Sequence, residues 1–324
     1  MAANAGVRSL AVPKSTATAP SFGRLEEHRA ELTSYCYRTL GSPFEAEDAV
    51  QDTLVRAWQN LDRFEGRAAL RSWLYRIATN VCLDMLKSSQ RRARPMDLGP
   101  AQAPLEENLH ALPEATWIEP LPDPAETAVM RDTIKLAFVA ALQHLPPRQR
   151  ATLILCDVLR WRASEVAELL DTSVASVNSS LQRARATLSR TKLQPLDQSK
   201  VDRALLERYV AAFEAYDFEA LTALIHEDAI QSMPPYDMWL QGRDDIFAWW
   251  LGPGIDCKGS RVIPTTWANG APAFGQYKQD PRGGYAPWAL QVLDISRGRI
   301  GELTFFLSTE RLFPLFGLPP RLDA

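Results

Sequence analysis

The chain has 324 residues, long for one domain and comfortable for two or three. Its composition, 46% hydrophobic and 23% charged with a formal net charge of −3, is that of a globular protein and excludes a fibrous or fully disordered chain. No apolar run reaches membrane-span length, residues 1–21 lack the apolar core of a signal peptide, and Cys36, Cys82, Cys156 and Cys257 are too scattered for a zinc site, so a cytoplasmic chain with no metal and no cofactor is expected.

Residues 1–21 read as a disordered leader. A helix is expected from Leu25 to Leu40. After the Gly-Ser-Pro break at 41–43, a second helix carries Val50, Leu54, Ala57, Trp58 and Leu61 on one apolar stripe. The stretch DRFEGRAAL at 62–70 is a loop. In the helix that follows, Trp73, Leu74, Ile77, Val81 and Leu86 face inward, while Arg71, Arg76, Lys87, Arg91, Arg92 and Arg94 stay outside. Pro95 to Pro124 is acidic, rich in proline and without period, an extended linker. A helix is expected from Glu126 to Leu145, closed by Pro146 and Pro147, and RQRATLILCDVLRW and ASEVAELL continue a helical unit. SVASVNSSLQRARATL at 173–188 places Val174, Val177, Leu181, Ala184 and Leu188 at helical spacing, with Thr172 or Ser173 as its N-cap. Beyond Pro195, two helices (201–216 and 218–225) lead into strand-like runs at 261–268, 274–279, 286–296 and 299–308, a separate α+β domain.

The net charge hides a segregated pattern. Residues 1–94 hold 14 lysines and arginines against 10 acids, and 128–198 hold 10 against 6. Residues 95–127 hold 7 acids and no base, and 199–324 hold 12 bases against 16 acids. A phosphate backbone feels the two local basic blocks, not the sum. The helix pair ASEVAELLDTSVASVNSSLQRAR has the layout of a helix-turn-helix. Ser176, Asn178, Ser179 and Gln182 suit base edges. Arg160, Arg162, Arg183, Arg185, Arg190 and Lys192 suit phosphates. An ordinary helical hairpin with a basic solvated end would share this pattern. In the first basic block, Trp73 and Tyr75 are possible base-stacking groups, although the apolar stripe places Trp73 better in the core.

These blocks, in this order, resemble the sigma-70 family of RNA polymerase sigma factors, extracytoplasmic-function group. Residues 22–94 resemble region 2, with AEDAVQDTLVRAW similar to the segment that docks on the polymerase clamp helices and RSWLYRIATNVCLDMLKSSQRR similar to the segment that melts and reads the −10 element. Residues 128–194, with LQHLPPRQRATLILCDVLRWRASEVAELL, resemble region 4, which reads the −35 element; the recognition helix departs from many relatives in carrying Asn178 and Ser180 in place of Lys or Arg. The resemblance implies docking on core polymerase through Asp48, Gln51, Asp52 and Arg56. It implies −10 contacts by Arg63, Arg67, Arg71, Arg76, Asn80, Lys87, Arg91 and Arg92. It implies that linker 95–127 threads toward the polymerase active centre, and that the partners are core RNA polymerase, through its clamp helices and flap, and promoter DNA, with an anti-sigma protein or a small ligand as a further one.

Residues 199–324 resemble a SnoaL-like domain of the nuclear-transport-factor-2-like superfamily, helices packed into a curved sheet as a cone. Met233, Trp239, Trp249, Trp267, Tyr277, Trp288, Gln291 and Phe305 are candidates to line a pocket there, or simply to fill the cone. His226 with Glu227 and Asp228 is expected as a surface cluster at a helix end. The stretch KQDPRGGYAPWAL, 278–290, is a candidate contact with the sigma blocks. The expected architecture is two all-α sigma domains, the second a helix-turn-helix, plus a C-terminal α+β cone. The expected function is a transcription initiation factor with a regulatory tail and no activity of its own. The alternatives are a SnoaL-type enzyme fused to a DNA-binding head, and a ligand-sensing helix-turn-helix repressor.

Overall fold

In the computed structural model, which describes residues 22–61, 64, 69–88, 91–123, 135–189 and 203–323, the chain opens with a short helix α1 (Phe22–Glu26), then α2 (Arg29–Leu40), α3 (Pro43–Gln59) and α4 (Leu70–Ser88). The expected leader lies outside the described residues. The break between α2 and α3 has a local cause. Gly41 takes φ +83°, and its N–H bonds the Tyr37 carbonyl to close α2. Ser42 then caps α3, accepting from the Glu45 N–H at 3.4 Å, with Pro43 in the first turn where its missing N–H costs nothing. Trp58 departs from expectation. It is 55% exposed, because the buried stripe of α3 runs through Ala46, Ala49, Val50, Thr53, Leu54 and Ala57, and Trp58 lies one helical step outside it.

The second helical unit comprises α5 (Leu136–Gln143), α6 (Pro147–Leu153), a π-helical turn at Ile154–Val158, α7 (Ala163–Leu169) and α8 (Val174–Leu188). The expected beginning of its first helix, from Glu126, lies partly outside the described residues. This unit does not stand apart from the first. Val139, Leu142, Ile154 and Val166 share one continuous core with Leu32, Cys36, Leu54 and Leu74. Arg150, 3% exposed, pins the two units together. Its guanidinium donates to Gln143 Oε1 at 2.5 Å, to the carbonyls of Gln143 and Leu145 at 3.2 Å each, and to the carbonyl of Thr39 in α2. Burial lowers its pKa to about 10, which leaves it charged at neutral pH.

The linker is not a bare extended strand. Short 3₁₀ turns form at Pro95–Asp97, Glu106–Asn108 and Glu114–Thr116. Prolines bar a regular element, and the remaining N–H groups find partners on both neighbours. Glu119 N–H bonds the Gly41 carbonyl at 3.1 Å. Gln102, Leu112 and Asp123 N–H bond the carbonyls of Trp239, Pro235 and Trp267 at 3.0, 2.9 and 2.8 Å. The acidic stretch therefore occupies the seam between the helical half and the C-terminal domain.

That domain runs α9 (Arg203–Ala215), α10 (Phe218–Leu224), β1 (Ile225–Ser232), β2 (Trp239–Gln241), α11 (Arg243–Leu251), β3 (Arg261–Pro264), β4 (Ala273–Gln279), β5 (Tyr285–Ser296), β6 (Arg299–Phe306) and α12 (Thr309–Leu315). The sheet order is β2-β1-β6-β5-β4-β3, with β1 and β6 parallel and the other pairs antiparallel. Strand alternation sorts the two faces. Ala289 and Leu293 join the core under α9, α10 and α11, while Leu290 and Val292 pack with Leu312 and Phe313 of α12.

On the α12 side Asp294 lies directly opposite Glu302 across β5 and β6, near Arg94 of the linker and Lys135. Burial, followed by the Glu302 charge, raises Asp294 to about 7 against the pull of Lys135 and Arg94. An unfolded aspartate ionises near pH 4. The contribution of this carboxyl to stability is therefore fully present below about pH 4 and is lost as pH rises to about 7, where the folded carboxyl ionises too. Asp294→Asn is expected to melt several degrees above the parent at pH 8 and to lose that advantage at pH 4. Equal melting temperatures at pH 8 would refute the assignment.

Candidate nucleic-acid interface

The α7–α8 pair is set by its turn and cap. Asp171 takes φ +50°, and Ser173 Oγ accepts the Ser176 N–H at 3.2 Å. Val177 and Ala184 are buried and Leu181 and Leu188 half-buried, so this face fastens α8 to the unit. Val174, expected on the same stripe, is 43% exposed, because contact with the scaffold begins one turn later at Val177. The opposite face exposes Ser176, Asn178, Ser179, Gln182, Arg183 and Arg185. Arg185 forms a forked pair with Asp157 at 2.6 and 2.9 Å. Arg162 pairs with Glu165 at 3.1 Å at the start of α7, and Arg160 is exposed with φ +61°. Arg190 and Lys192 lie outside the described residues.

The basic face of α4 is partly occupied by the second unit. Arg76 donates to the Glu168 carbonyl at 2.7 Å. Arg71 bonds Glu31 at 2.8 Å, and its guanidinium lies 5.2 and 5.5 Å from the ring centroids of Tyr75 and Trp161. Tyr75 is fully buried, its ring 5.1 Å from Trp161, so it offers no stacking surface in this arrangement. Trp73 is half-buried 5.2 Å from Phe64. Asn80 is exposed, Lys87 pairs with Asp84 at 2.8 Å, and Arg91 lies 2.6 Å from His144 Nδ1. Arg92 does not face outward. It is 7% exposed, pairs with Glu45 at 2.8 Å and Glu119 at 3.6 Å, and donates to the Trp117 carbonyl at 2.5 Å. A run of arginines reads as solvated until its distant acids are in place. Arg63 and Arg67 lie outside the described residues.

On α3, Asp48, Gln51 and Arg56 are exposed and Asp52 is half-exposed, with Arg56 and Asp52 paired at 2.8 Å. Val55, 46% exposed, and Trp58 stand beside them, an apolar pair of which the sequence pattern places Trp58 on the core stripe and does not single out Val55. An aromatic one step off an already complete stripe was the available signal. Arg311 of α12 lies 3.8 Å from the Phe44 ring centroid, so the C-terminal domain borders the beginning of α3.

The eight pocket candidates do not line one cavity. Trp249, Gln291 and Phe305 are buried on the α9–α11 side, where Phe213, Trp250 and Phe305 pack ring to ring at 5.3 to 6.4 Å. Tyr277 faces the other way, 5.1 Å from Phe313. Met233 is half-buried and Trp288 is 38% exposed with Lys278 3.7 Å from its ring. Trp239 and Trp267 serve the linker, the first donating Nε1–H to the Gly99 carbonyl at 2.9 Å. Inside the cone, Tyr209 Oη donates to Gln291 Oε1 at 2.9 Å and Gln291 Nε2 to Gln276 Oε1 at 2.9 Å. His226, Glu227 and Asp228 follow the end of α10 at the beginning of β1, with Glu227 and Asp228 exposed at the surface. The 278–290 stretch holds the C-terminal tail, through Tyr285 with Leu322 and Asp280 with Arg321 at 2.8 Å, while the 267–270 turn and α12 reach Tyr37 and Phe44 of the helical half. Among the described residues no group of three or more His, Cys, Asp or Glu could hold a metal ion, and no helix is long and apolar enough to cross a membrane.

Three family models match in chain order: Sigma-70 region 2 over residues 25–92, Sigma-70 region 4 over 135–188 and SnoaL-like domain over 206–300. Over 313 residues the chain is 44% identical to the ECF RNA polymerase sigma factor SigG of Mycobacterium tuberculosis, covering 92% of this chain and 83% of that protein. The chain belongs to the ECF RNA polymerase sigma factors. Its function is promoter-directed transcription initiation. The sigma factor is also 29% identical over 204 residues to SigJ of the same organism, 63% of this chain and 61% of SigJ. The crystal structure of M. tuberculosis SigJ shares its fold, with a TM-score of 0.62 at 21% identity over 92% of the sigma factor and 100% of that chain.

Proposed function

We propose that the sigma factor docks on core RNA polymerase through the α3 face of Asp48, Gln51, Asp52 and Arg56, with Val55 and Trp58 as apolar anchors. It reads a −35 element with Ser176, Asn178, Ser179 and Gln182, held on phosphates by Arg160, Arg162, Arg183 and Arg185. It engages the −10 strand with Arg63, Arg67, Arg71, Arg76, Asn80, Lys87 and Arg91. Arg92 leaves this set and holds the linker. The observation that carries the reading is the capped α8, whose polar face is exposed and ends in arginines. The C-terminal domain regulates. Its support is that the domain bonds both the linker and region 2, through Trp267 with Asp123 and Asn269 with Tyr37, while region 4 packs on the same helical half through Arg76 with Glu168.

Run-off transcription with purified core polymerase tests the whole reading, comparing the full chain with one ending at residue 198. Promoter-dependent transcripts at different initiation rates are expected. Duplex binding without transcripts would favour a repressor, and identical rates would remove the regulatory role. Within α8, Asn178→Ala should relax preference at one −35 position by about 1–3 kcal/mol of discrimination. Arg185→Ala should weaken all sequences alike and lower the salt slope by about one unit. A promoter library on which both variants lose affinity uniformly would overturn this division.

A further inference from the structure

Three segments far apart in sequence meet at one side chain. Asn269, 2% exposed, sits in the turn Trp267–Gly270 with φ +54°. Its Nδ2 donates to Tyr37 Oη of α2 at 2.8 Å, and its Oδ1 accepts the Leu121 N–H of the linker at 2.8 Å. Its own N–H bonds the Leu121 carbonyl at 3.0 Å. Tyr37 Oη in turn donates to the linker carbonyl of Glu119 at 2.9 Å. Asp123 closes the same turn, with its N–H on the Trp267 carbonyl and its Oδ1 accepting the Gly270 N–H, both at 2.8 Å.

The chemistry selects asparagine. A carboxamide offers a donor to the hydroxyl and an acceptor to the N–H from one planar group, and asparagine tolerates a left-handed backbone better than most residues. An aspartate would present only acceptors and turn the Tyr37 proton away from Glu119. Tyr37 is fully buried and Glu119 is 4% exposed, so no water replaces a lost partner here while the seam stays closed.

We propose that Asn269 is a latch, the residue by which the C-terminal domain holds the linker against region 2. Region 2 cannot leave the C-terminal domain without breaking the Asn269–Tyr37 bond, and the linker cannot leave either one without breaking the bonds of Leu121 to Asn269 or of Glu119 to Tyr37. Release of the linker and release of the C-terminal domain are therefore one coupled event. This rests on the regulatory reading for its consequence in transcription, but not for its structure.

Hydrogen exchange of the full-length protein, followed by mass spectrometry, tests it. Amides in 117–123 exchange through seam opening, so their rate follows the opening equilibrium. Asn269→Ala should speed exchange of 117–123 about tenfold or more, while peptides from α8 and from β5 and β6 keep their rates. Tyr37→Phe reaches the knot from the other side without touching the turn and should do the same. The double variant should fall short of the product of the two, since both remove one shared bond. Unchanged protection of 117–123 in both single variants would overturn the latch. Faster exchange with unchanged run-off transcription would keep the latch and overturn the regulatory reading.

Discussion

Trp58→Ala is expected to weaken binding to core polymerase about thirtyfold while leaving the melting temperature close to that of the parent. The residue is 55% exposed on a helix whose buried stripe does not need it, so the fold loses little. Aromatic anchors at interfaces carry about 2 kcal/mol or more, and thirtyfold in affinity corresponds to that energy. Asp52→Arg should add to the loss by reversing charge on the same face and by breaking the pair with Arg56, itself worth little at the surface. Titration of fluorescent core polymerase would measure both. Parental affinity in the Trp58 variant would move the docking surface off this side of α3.

The second large effect is structural. Arg150→Met should lower the melting transition of the helical half by about 10 °C, since a chain of that size moves about 2–4 °C per kcal/mol and unsatisfied buried carbonyls cost about 1–3 kcal/mol each. The variant fills the space but leaves the carbonyls of Thr39, Gln143 and Leu145 without this donor. Arg150→Lys should recover little, because a compact ammonium cannot fork across the four separated acceptors. Calorimetry would decide. An unshifted transition would mean that Arg150 does not hold regions 2 and 4 together.

Local features were legible before any tertiary contact was known. Gly41 and Ser42 announced the break between α2 and α3, and Ser173 the beginning of α8, because each cap is satisfied within four residues. Apolar spacing also marked Leu74 and Val81 on the buried face of α4 and Val177 and Ala184 on that of α8, while Val174 and Tyr75 departed from it. The exposed polar face of α8 was legible as the complement of that stripe. Trp58 was misplaced because its spacing fits the edge of the α3 stripe, and only the packing of α2 and α4 on that helix shows where the edge lies.

What a charged side chain does depended on its partner. Arg71, Arg91, Arg92 and Arg150 look alike in sequence, yet two are exposed and two are buried among acceptors. The acids and carbonyls that decide this come from α3, the linker and α5, and nothing local encodes them. The aromatics of the C-terminal domain show the same limit. Phe305 and Tyr277 are both strand residues, but the register of β4, β5 and β6 puts them on opposite faces. The sequence by itself determined the helices, the order of the three domains and the exposed polar face of α8, because periodicity and caps act over one or two turns. The closed seam at Asn269, the covered face of α4 and the filled cone were decided only by the tertiary structure, since each joins groups that the chain brings together across long separations.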